Sequence, residues 1–461
     1  MSKLIRIAVF NYTKDYSKFL ERIKFTYKNY KIIFFYKEKN RGVQEYKYLQ
    51  DKILNKLDVC VICELNENSF FINEINFLIK NYIKIVQAVN NSEIDKHGLI
   101  SPKPIKSVRF EDLFLRKNNS YNFNNIKKII KNKKILITGG AGSIGGSIFK
   151  ALLKYNPGKV LLLDNNEYAL FRLLNFGFVK TKNNNFDYVL CNIENKGLLN
   201  LIFIDFKPDI VFHAAALKHV DFLEKNPVQA SLTNIIGTEN VLNSAISVRA
   251  KFFINISSDK AVHPKSILGK TKRLSELLCS SQKSNRTTKI CSIRFGNVFD
   301  SRGSLSELVR EKILSGEKIK ISSPIAERYF MSQNETSDLI LNSVLLMSKE
   351  KDYLNDKIYI FDMGQPVNIK NLVYKMIYLT GRDIKDFIFS GYYGLKSGEK
   401  IKENLFNSKK EIILKKFYNK IYQIKLINNK SFLKKYLNLK KIIKSNNKKL
   451  LLKSLSQLSL K

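Results

Sequence analysis

An acidic and a basic side chain stand next to each other at Asp259 and Lys260, directly after Ser258. The mainly apolar residues 252–256 predict a buried β-strand, so these polar groups are expected at its carboxyl end. A carboxylate and an ammonium group held together can donate and accept protons in one reaction. We therefore predict that Asp259 and Lys260 act as a catalytic acid and base. The simpler alternative is a solvated ion pair at the end of a strand.

Three glycines, Gly139, Gly142 and Gly145, form a second motif between a predicted strand and a predicted helix. The first permits a tight turn, the second lets the backbone approach a pyrophosphate, and the third lets the helix pack against the sheet. Asp164 closes the next predicted strand roughly 20 residues later, where it could accept hydrogen bonds from a ribose. This pattern predicts an NAD site, without excluding NADP; a glycine-rich turn that binds no ligand is the alternative.

The composition indicates a folded protein with a strong positive charge. Lys and Arg number 80 against 40 Asp and Glu, which gives a formal net charge of +40, and 44% of the residues are hydrophobic. This apolar content excludes global disorder. The charge could indicate a nucleic-acid or membrane partner. However, Lys, Asn, Ile, Phe and Tyr are abundant together and all have A/T-rich codons, so base composition explains the charge more simply. We expect no nucleic-acid partner.

The cysteine, histidine and hydropathy patterns bear on three features: disulfide bonds, a metal site and a membrane-spanning segment. Five cysteines are too few for a disulfide framework, and the four histidines are scattered. Cys60 and Cys63 lie three apart in a predicted strand and therefore face opposite sides, which argues against a shared metal. No apolar run reaches the roughly 20 residues that span a bilayer. We expect a cytoplasmic protein without a metal or a transmembrane segment, and peripheral membrane association stays open.

The order of predicted elements indicates two α/β domains. Residues 1–116 alternate apolar runs with helical periodicity, which is typical of a small Rossmann-like domain. Its first strand lacks phosphate-loop glycines, so we interpret this domain as degenerate and structural or regulatory. A linker is predicted at 117–133, a dinucleotide-binding domain at 134–406 and a basic tail at 407–461. The fold class is α/β, with a Rossmann-type doubly wound parallel sheet. Predicted strands of the first domain span residues 4–10, 31–36, 58–63 and 82–89.

Several short motifs carry a specific family resemblance. The glycine spacing is that of extended short-chain dehydrogenases/reductases. Over about residues 135–405 the chain resembles the capsular polysaccharide biosynthesis (CapD-like) family of UDP-N-acetylglucosamine 4,6-dehydratases, and residues 108–113 resemble the segment that precedes the dehydratase domain in that family. The motifs are His213-Ala-Ala-Ala-Leu-Lys218-His219-Val220, Asp259-Lys260-Ala-Val, Thr271-Lys272-Arg273, Arg294-Phe-Gly-Asn297-Val, Arg328-Tyr-Phe-Met331, Asp362-Met-Gly and Gly398-Glu399-Lys400.

This resemblance implies an NAD-dependent enzyme that removes water from a UDP-N-acetylhexosamine and leaves a 4-keto-6-deoxy sugar. It implies that Asp259 protonates the hydroxyl leaving C6 and that Lys260 abstracts the C5 proton. Ser258 would hydrogen-bond near the C4 oxygen, and Lys272 would bind the nicotinamide ribose. Further cofactor contacts are implied for Ser143, Ile144, Asn192, Ile193, Ala214, Ala215 and Asn234.

The resemblance also implies a smaller substrate lobe, at about residues 294–406, that folds over a UDP-sugar. Arginine suits this role because its planar guanidinium can bind phosphate oxygens bidentately. Arg302 is equally compatible with an ordinary surface position, and Lys396 replaces the Arg usual in the family. The implied substrate contacts are Lys218, Asn297, Arg302, Ser304, Arg328 and Glu399.

One position departs from the superfamily pattern. Leu268 stands where most short-chain dehydrogenases have a catalytic Tyr, and leucine cannot transfer a proton. Long members of the resembled family commonly have Met there, so the proton chemistry would fall to Ser258 and Asp259, with retention at C5 favoured. A sugar-nucleotide epimerase and a non-catalytic NAD-binding regulatory module stay open as alternatives. We also expect a homo-oligomer.

Overall fold

A nine-stranded sheet organises the part of the chain that carries the predicted motifs. The computed structural model describes residues 4–10, 17, 21, 29–35, 57–62, 84–87, 123–176, 185–282, 287–350, 353–379, 387–392, 394–417, 421–426 and 432–459. The chain divides into two units, one within 1–118, 308–321 and 369–392, and the other within 119–307, 322–368 and 393–461. The segment at 108–113 lies outside the described residues.

Nineteen strands are described. They are β1 (Ile5–Phe10), β2 (Tyr30–Phe35), β3 (Val59–Ile62), β4 (Lys84–Gln87), β5 (Lys134–Thr138), β6 (Lys159–Asp164), β7 (Phe186–Leu190), β8 (Ile210–His213), β9 (Phe252–Ile256), β10 (Lys289–Arg294), β11 (Asn297–Val298), β12 (Ile319–Ile321), β13 (Glu327–Arg328), β14 (Phe330–Met331), β15 (Lys357–Phe361), β16 (Val367–Asn368), β17 (Ile388–Tyr392), β18 (Glu411–Phe417) and β19 (Ile421–Leu426).

The α-helices of the described residues are α1 (Phe123–Ile130), α2 (Ser143–Leu152), α3 (Glu167–Phe176), α4 (Lys196–Phe206), α5 (Val220–Lys225), α6 (Pro227–Ser231), α7 (Thr238–Ser247), α8 (Ile267–Ser280), α9 (Leu305–Ser315), α10 (Gln333–Lys349), α11 (Ile369–Leu379), α12 (Phe432–Lys444) and α13 (Lys448–Ser459). Short 3-10 turns at Leu153–Tyr155 and Asp259–Ala261 and a π-helical turn at Leu232–Gly237 complete the helical segments.

The first unit contains a four-stranded, all-parallel sheet in the order β2-β1-β3-β4. Its strands lie where the apolar runs predict them. Ile7, Val9 and Val61 are fully buried, as is typical of parallel strands covered on both faces. Cys60 is buried in β3, whereas Cys63 lies outside the described residues.

The second unit contains the nine-stranded sheet, in the order β18-β19-β15-β10-β9-β8-β5-β6-β7. The seven strands from β15 to β7 are parallel, and the β18–β19 hairpin is antiparallel. From β5 the chain adds strands first in one direction and then, from β8, in the other. This doubly wound topology confirms the predicted fold class and opens a crevice at the carboxyl ends of β5 and β8, where such sheets bind ligands.

Helices cover both faces of this sheet because successive side chains of its central strand point in opposite directions. Ile135 and Ile137 of β5 join an apolar cluster that includes side chains of α1, α2 and α10. Leu136, between them, joins a second cluster with α4 and α7. The carboxyl end of β5 is thereby held in a fixed position between two packed layers.

Residues 407–461, interpreted from sequence as a tail, contribute β18, β19, α12 and α13. Tyr436, Leu439, Leu451 and Leu455 of the two helices pack in one apolar cluster with Leu274 and other residues of α8. None of the helices in the described part of the chain has both the length and the apolar composition needed to cross a membrane. Nor do the described residues place three or more His, Cys, Asp or Glu side chains where they could together hold a metal ion.

Candidate active site

The glycine motif forms the turn between β5 and α2. Gly139 has a φ of +65°, and a Cβ there would lie 2.7 Å from the nitrogen of Ala215. A Cβ on Gly145 would lie 2.1 Å from the Gly139 oxygen, so the helix can approach the turn only with glycine at this position. At Gly142 a Cβ would meet only the Gly139 oxygen, at 3.1 Å. The backbone at Gly142 is therefore open to a pyrophosphate beside the N-terminus of α2.

Asp164 fastens this turn to the end of β6. Its Oδ2 accepts a hydrogen bond from the Ala141 nitrogen at 3.0 Å, and its Oδ1 accepts one from the Asn166 nitrogen at 3.0 Å. Because each carboxylate oxygen has two acceptor positions, Asp164 could also accept bonds from a ribose. Asn166 itself caps α3 by accepting a bond from the Ala169 nitrogen at 2.8 Å.

The other predicted cofactor residues lie around the same crevice. The nitrogens of Ala214 and Ala215 donate to the backbone and side-chain oxygens of Thr138, at 3.1 and 3.3 Å. Asn192 is exposed and accepts a bond from the Glu194 nitrogen at 3.0 Å. Further members are the half-buried Ile144, which packs against the core, and the buried Ile193, which contacts Gly237.

Asn234 has a bracing role within the π-helical turn. Its Oδ1 accepts from the Leu217 nitrogen at 2.9 Å, and its Nδ2 donates to the Leu217 oxygen at 3.0 Å and to Thr271 Oγ1 at 3.1 Å. These bonds join the segment after β8 to α8. π-helical turns often mark functional sites, and this one orients the wall of the crevice.

Two basic side chains, the buried His213 and the partly buried Lys272, lie at the carboxyl ends of β8 and β9. His213 lies between Thr138 and Thr238, with ring nitrogens 2.8 and 2.9 Å from their hydroxyl oxygens. Burial, with a smaller contribution from the charge of Lys272, lowers the pKa of His213 to about 3. Lys272 donates from Nζ to the Ile256 oxygen at 2.8 Å, and burial lowers its pKa to about 8. His213 is therefore neutral near pH 7, whereas Lys272 carries its charge.

The predicted acid–base residues form one hydrogen-bonded group at the end of β9. Ser258 Oγ donates to Asp259 Oδ1 at 2.9 Å, and Lys260 Nζ donates to the same oxygen at 3.1 Å. Lys260 Nζ also donates to Asn297 Oδ1 at 3.1 Å. Asp259 is fully buried, and its Oδ2 accepts no hydrogen bond from the residues that the structure describes. The structure thus joins Asn297, predicted to contact substrate, to the acid–base group.

Glu403, which no motif indicated, and Lys400, which had no predicted role in the site, complete this group. Glu403 Oε1 lies 3.9 Å from Lys260 Nζ, and Lys400 Nζ donates to Glu403 Oε2 at 2.8 Å. Lys400 also donates to the Val262 oxygen at 2.8 Å, just after the turn that carries Asp259. The Gly398-Glu399-Lys400 motif marked this segment in the sequence, but no local pattern indicated which strand end its side chains would reach.

A buried cluster of four charged residues supports the same strand ends. Glu276 of α8 accepts hydrogen bonds from Ser257 Oγ at 2.7 Å and from Arg294 Nε at 2.7 Å. Arg294 also donates to Glu411 of β18, at 2.7 and 2.9 Å, and Arg273 donates to the same carboxylate at 3.0 Å. The first residue of β18 is thereby tied to the base of the candidate site.

Apart from Asn297, the predicted substrate residues lie in two places. Lys218 donates to the Arg302 oxygen at 2.6 Å, and the Arg302 nitrogen donates to Ser143 Oγ at 2.9 Å, so this loop contacts the glycine turn. The Arg302 side chain is exposed. Desolvation lowers the pKa of Lys218. Ser304 Oγ lies 2.9 Å from the hydroxyl of Ser306, in the first turn of α9.

Arg328 and Glu399 form the second place. Arg328 NH2 donates to Glu399 Oε1 at 2.9 Å, while NH1 donates to the backbone oxygens of Glu327 and Ile401 at 2.7 and 3.0 Å. Arg328 therefore braces the segment that leads to Lys400. Its use in binding a diphosphate stays a prediction.

Leu268, at the position of the superfamily's tyrosine, is buried in the apolar cluster of α8, α12 and α13. The same cluster contains Leu223 and Ile235. Leucine at 268 is thus compatible with the packing of α8, and it has no group that can transfer a proton.

Known proteins are similar to this chain in sequence and in fold. A protein-family model described as "Polysaccharide biosynthesis protein" matches residues 135–426. The capsular polysaccharide biosynthesis protein CapD of Staphylococcus aureus is 35% identical over 358 residues, which are 77% of this chain and 58% of that protein.

Two named sugar-nucleotide enzymes match a shorter part of the chain. The UDP-N-acetylglucosamine 4,6-dehydratase (inverting) of Campylobacter jejuni is 32% identical over 216 residues, 46% of this chain and 63% of that protein. The UDP-glucose 4-epimerase of Rickettsia prowazekii is 33% identical over 216 residues, 45% of this chain and 62% of that protein. The chain thus spans between half and two thirds of the length of these relatives.

Solved structures support the fold. Pen from Bacillus thuringiensis is similar with a TM-score of 0.57 and 32% identity, over 64% of this chain and 89% of that chain. DesIV from Streptomyces venezuelae, a dTDP-glucose 4,6-dehydratase solved with NAD, has a TM-score of 0.51 and 19% identity, over 60% of this chain and 88% of that chain. The second likeness concerns the fold alone.

Proposed function

The chain belongs to the polysaccharide biosynthesis protein family, and from this premise we propose that it is an NAD-dependent dehydratase acting on UDP-N-acetylglucosamine. The observation that carries the proposal is the group at the end of β9. It combines a fully buried carboxylate, whose Oδ2 accepts no bond from the described residues, with the Lys260 ammonium group 3.1 Å from Oδ1. Elimination of water needs both an acid and a base, and Asp259 and Lys260 supply one of each.

The residues at the crevice fit NAD. The glycine turn leaves an open backbone at Gly142 beside the N-terminus of α2, as a pyrophosphate requires. Asp164 ends β6 with acceptor positions for a ribose. The Lys272 ammonium group would bind the nicotinamide ribose. The chemistry that a bound nicotinamide supplies is hydride transfer, from C4 of the sugar and later to C6.

The protein's own contribution is the movement of protons, first of all in the elimination step. In the ion pair, Lys260 carries the proton and Asp259 carries the negative charge, whereas elimination needs a free amine and a protonated acid. Transfer of one proton along the 3.1 Å hydrogen bond from Nζ to Oδ1 provides both. Lys260 then takes the proton from C5, and Asp259 gives its proton to the hydroxyl that leaves C6 as water. This exchange returns the ion pair to its starting state. The proton of the C4 hydroxyl would leave past Ser258 to solvent as C4 is oxidised. Lys260 would return a proton to C5 as C6 is reduced, and would then regain one from solvent.

An epimerase is the second candidate, because the Rickettsia relative carries that name. Inversion at C4 needs no acid for a leaving hydroxyl, and superfamily epimerases normally use the tyrosine that Leu268 replaces. The buried acid beside Lys260 favours dehydration. The UDP-sugar contacts, a homo-oligomer and a cytoplasmic location stay predictions.

The product of purified protein incubated with NAD and UDP-N-acetylglucosamine distinguishes the candidates. Dehydration gives a sugar nucleotide that has lost one water, with a 4-keto group visible by NMR. Epimerisation gives an isomer of unchanged mass. The Lys260→Ala variant should fold and show no loss of water. Unchanged substrate in the presence of bound NAD would contradict both activities and favour a non-catalytic module.

A further inference from the structure

We infer that Glu403 is a positioning residue of the proposed catalytic group, which holds Lys260 and stabilises the positive charge that this lysine regains when it accepts the C5 proton. The inference rests on the proposed function of Lys260 as the base. It assigns a role to a carboxylate that neither the sequence motifs nor the family resemblance singled out.

The first observation is the set of oxygens around the Lys260 nitrogen. Asp259 Oδ1 and Asn297 Oδ1 each lie 3.1 Å from Nζ, and Glu403 Oε1 lies 3.9 Å away. The first two are hydrogen-bond distances, and the third is an ion-pair distance. Glu403 therefore acts on Lys260 mainly through its charge.

The second observation is that Glu403 is buried and fixed in orientation. Only 4% of its surface is exposed, so its charge is poorly screened by solvent. Lys400, also buried, donates to Glu403 Oε2 at 2.8 Å and leaves Oε1 on the side of Lys260. Because Lys400 also binds the Val262 oxygen, the pair is anchored to the catalytic turn itself.

The charges of this group alternate along one path. Asp259 and Glu403 are acidic, and Lys260 and Lys400 are basic, so the four charges cancel. When Lys260 transfers a proton to Asp259, both become neutral while the Glu403–Lys400 pair keeps its charges. As Lys260 then takes the C5 proton, the nearby carboxylate favours the developing ammonium group, as a preorganised charge does in other proton-transfer sites.

Neighbouring side chains of the same segment provide a matched control. Lys402 points outward, where it pairs with Glu327 at 3.3 Å, and the two side chains are 53% and 35% exposed. Replacing Glu327 by Gln makes the same chemical change as Glu403→Gln in a solvated ion pair. Such exposed pairs contribute little.

The test compares wild type, Glu403→Gln, Glu403→Asp and Glu327→Gln with UDP-N-acetylglucosamine carrying hydrogen or deuterium at C5. We expect Glu403→Gln to lower kcat about 100-fold with KM changed less than about threefold, because Lys260 loses the buried partner that helps to hold its nitrogen in position beside Asp259. The deuterium isotope effect on kcat should increase, since proton abstraction becomes slower. Glu403→Asp should recover part of kcat, and Glu327→Gln should match wild type.

Two results would overturn the inference while leaving the proposed function intact. One is a Glu403→Gln enzyme with wild-type kcat and isotope effect. The other is a lower kcat with an unchanged isotope effect and a lower melting temperature, which indicates a structural role only. If Glu403→Gln does not fold, the isotope effect on kcat of Glu403→Asp tests the inference instead. A wild-type isotope effect in that variant would contradict it. Failure of the wild type to release water, by contrast, would contradict the proposed function itself.

Discussion

Lys260 Nζ lies 3.1 Å from Oδ1 of Asp259, its neighbour in the chain. Oδ2 of the same fully buried carboxylate accepts no hydrogen bond from any residue in the described ranges. A buried polar atom without a partner costs about 1–3 kcal/mol. The arrangement is therefore suited to a polar group that arrives with the substrate, which in the proposed reaction is the C6 hydroxyl.

The Asp259→Asn variant should lose dehydration by at least about 100-fold, because an amide cannot deliver the proton to the leaving hydroxyl. Product formation is measured by mass spectrometry, and folding by circular dichroism. Asp187→Asn is the control, since Asp187 forms an exposed ion pair with Lys159. Wild-type turnover in Asp259→Asn would refute the assignment of Asp259 as the acid.

Alanine substitutions at the adjacent Gly145 and Gly146 test whether the glycine turn binds NAD. The Gly145→Ala methyl group would lie 2.1 Å from the Gly139 oxygen, whereas at Gly146 the nearest atom would be 3.7 Å away. Gly145→Ala should abolish NAD binding measured by calorimetry. Gly146→Ala should keep it and stabilise α2 by about 0.5–1 kcal/mol, since alanine favours helix. Equal NAD affinities in the two variants would show that this turn does not bind the cofactor.

Because Lys272 loses its proton near pH 8, we expect activity and stability to depend on pH in opposite directions. Burial lowers its pKa to about 8, so its positive charge is lost above that pH in the folded protein. NAD affinity and kcat/KM should therefore fall as the pH rises through about 8. The unfolded chain keeps the proton up to about pH 10.4, so between these pH values the Lys272 contribution to the free energy of unfolding rises by up to about 1.4 kcal/mol per pH unit.

Comparison with Lys272→Met isolates both effects, because the variant lacks the titrating group. Lys270→Met is the control, as Lys270 lies on the same helix and donates to Ser456 Oγ at 2.9 Å. If Lys272→Met shows the wild-type fall in NAD affinity above pH 8, another group is responsible for it.

The buried charge cluster should dominate the stability of the C-terminal hairpin. Burial alone would raise the pKa of Glu411, but the charges of Arg294 and Arg273 lower it. Glu411→Ala leaves the fully buried Arg294 without this partner and should cost about 3–5 kcal/mol in urea unfolding. Glu327→Ala removes a partly exposed ion pair and should change the free energy of unfolding by less than about 0.5 kcal/mol. Similar losses in both variants would contradict a special role for the cluster.

The sequence predicts the parts of the fold that follow from local patterns. Short apolar runs place β1, β5 and β9, and the glycine spacing places the turn after β5. Asp259 and Lys260 are adjacent in the chain, so their pairing needs no knowledge of the tertiary structure. Each of these features is decided within a few residues, by side-chain periodicity or by backbone conformation.

Other features depend on contacts between distant segments. Nothing near Glu403 indicates that it faces Lys260, and nothing near Arg328 indicates that Glu399 pairs with it. The helices at 432–459 are Lys-rich, which favoured their interpretation as a tail. Phe432, Tyr436, Leu439, Ile443, Leu451 and Leu455 nevertheless recur at helical spacing and are buried, so the amphipathic pattern was present beneath the charge.

Turnover in deuterium oxide tests the central claim most directly. The proposed chemistry removes the C5 hydrogen and the C6 hydroxyl, then places a solvent-derived proton at C5. Wild-type protein with UDP-N-acetylglucosamine should therefore give a product that has lost one water and carries deuterium at C5, and Asp259→Asn should not. A wild-type product of unchanged mass, without deuterium at C5, would contradict the dehydratase account.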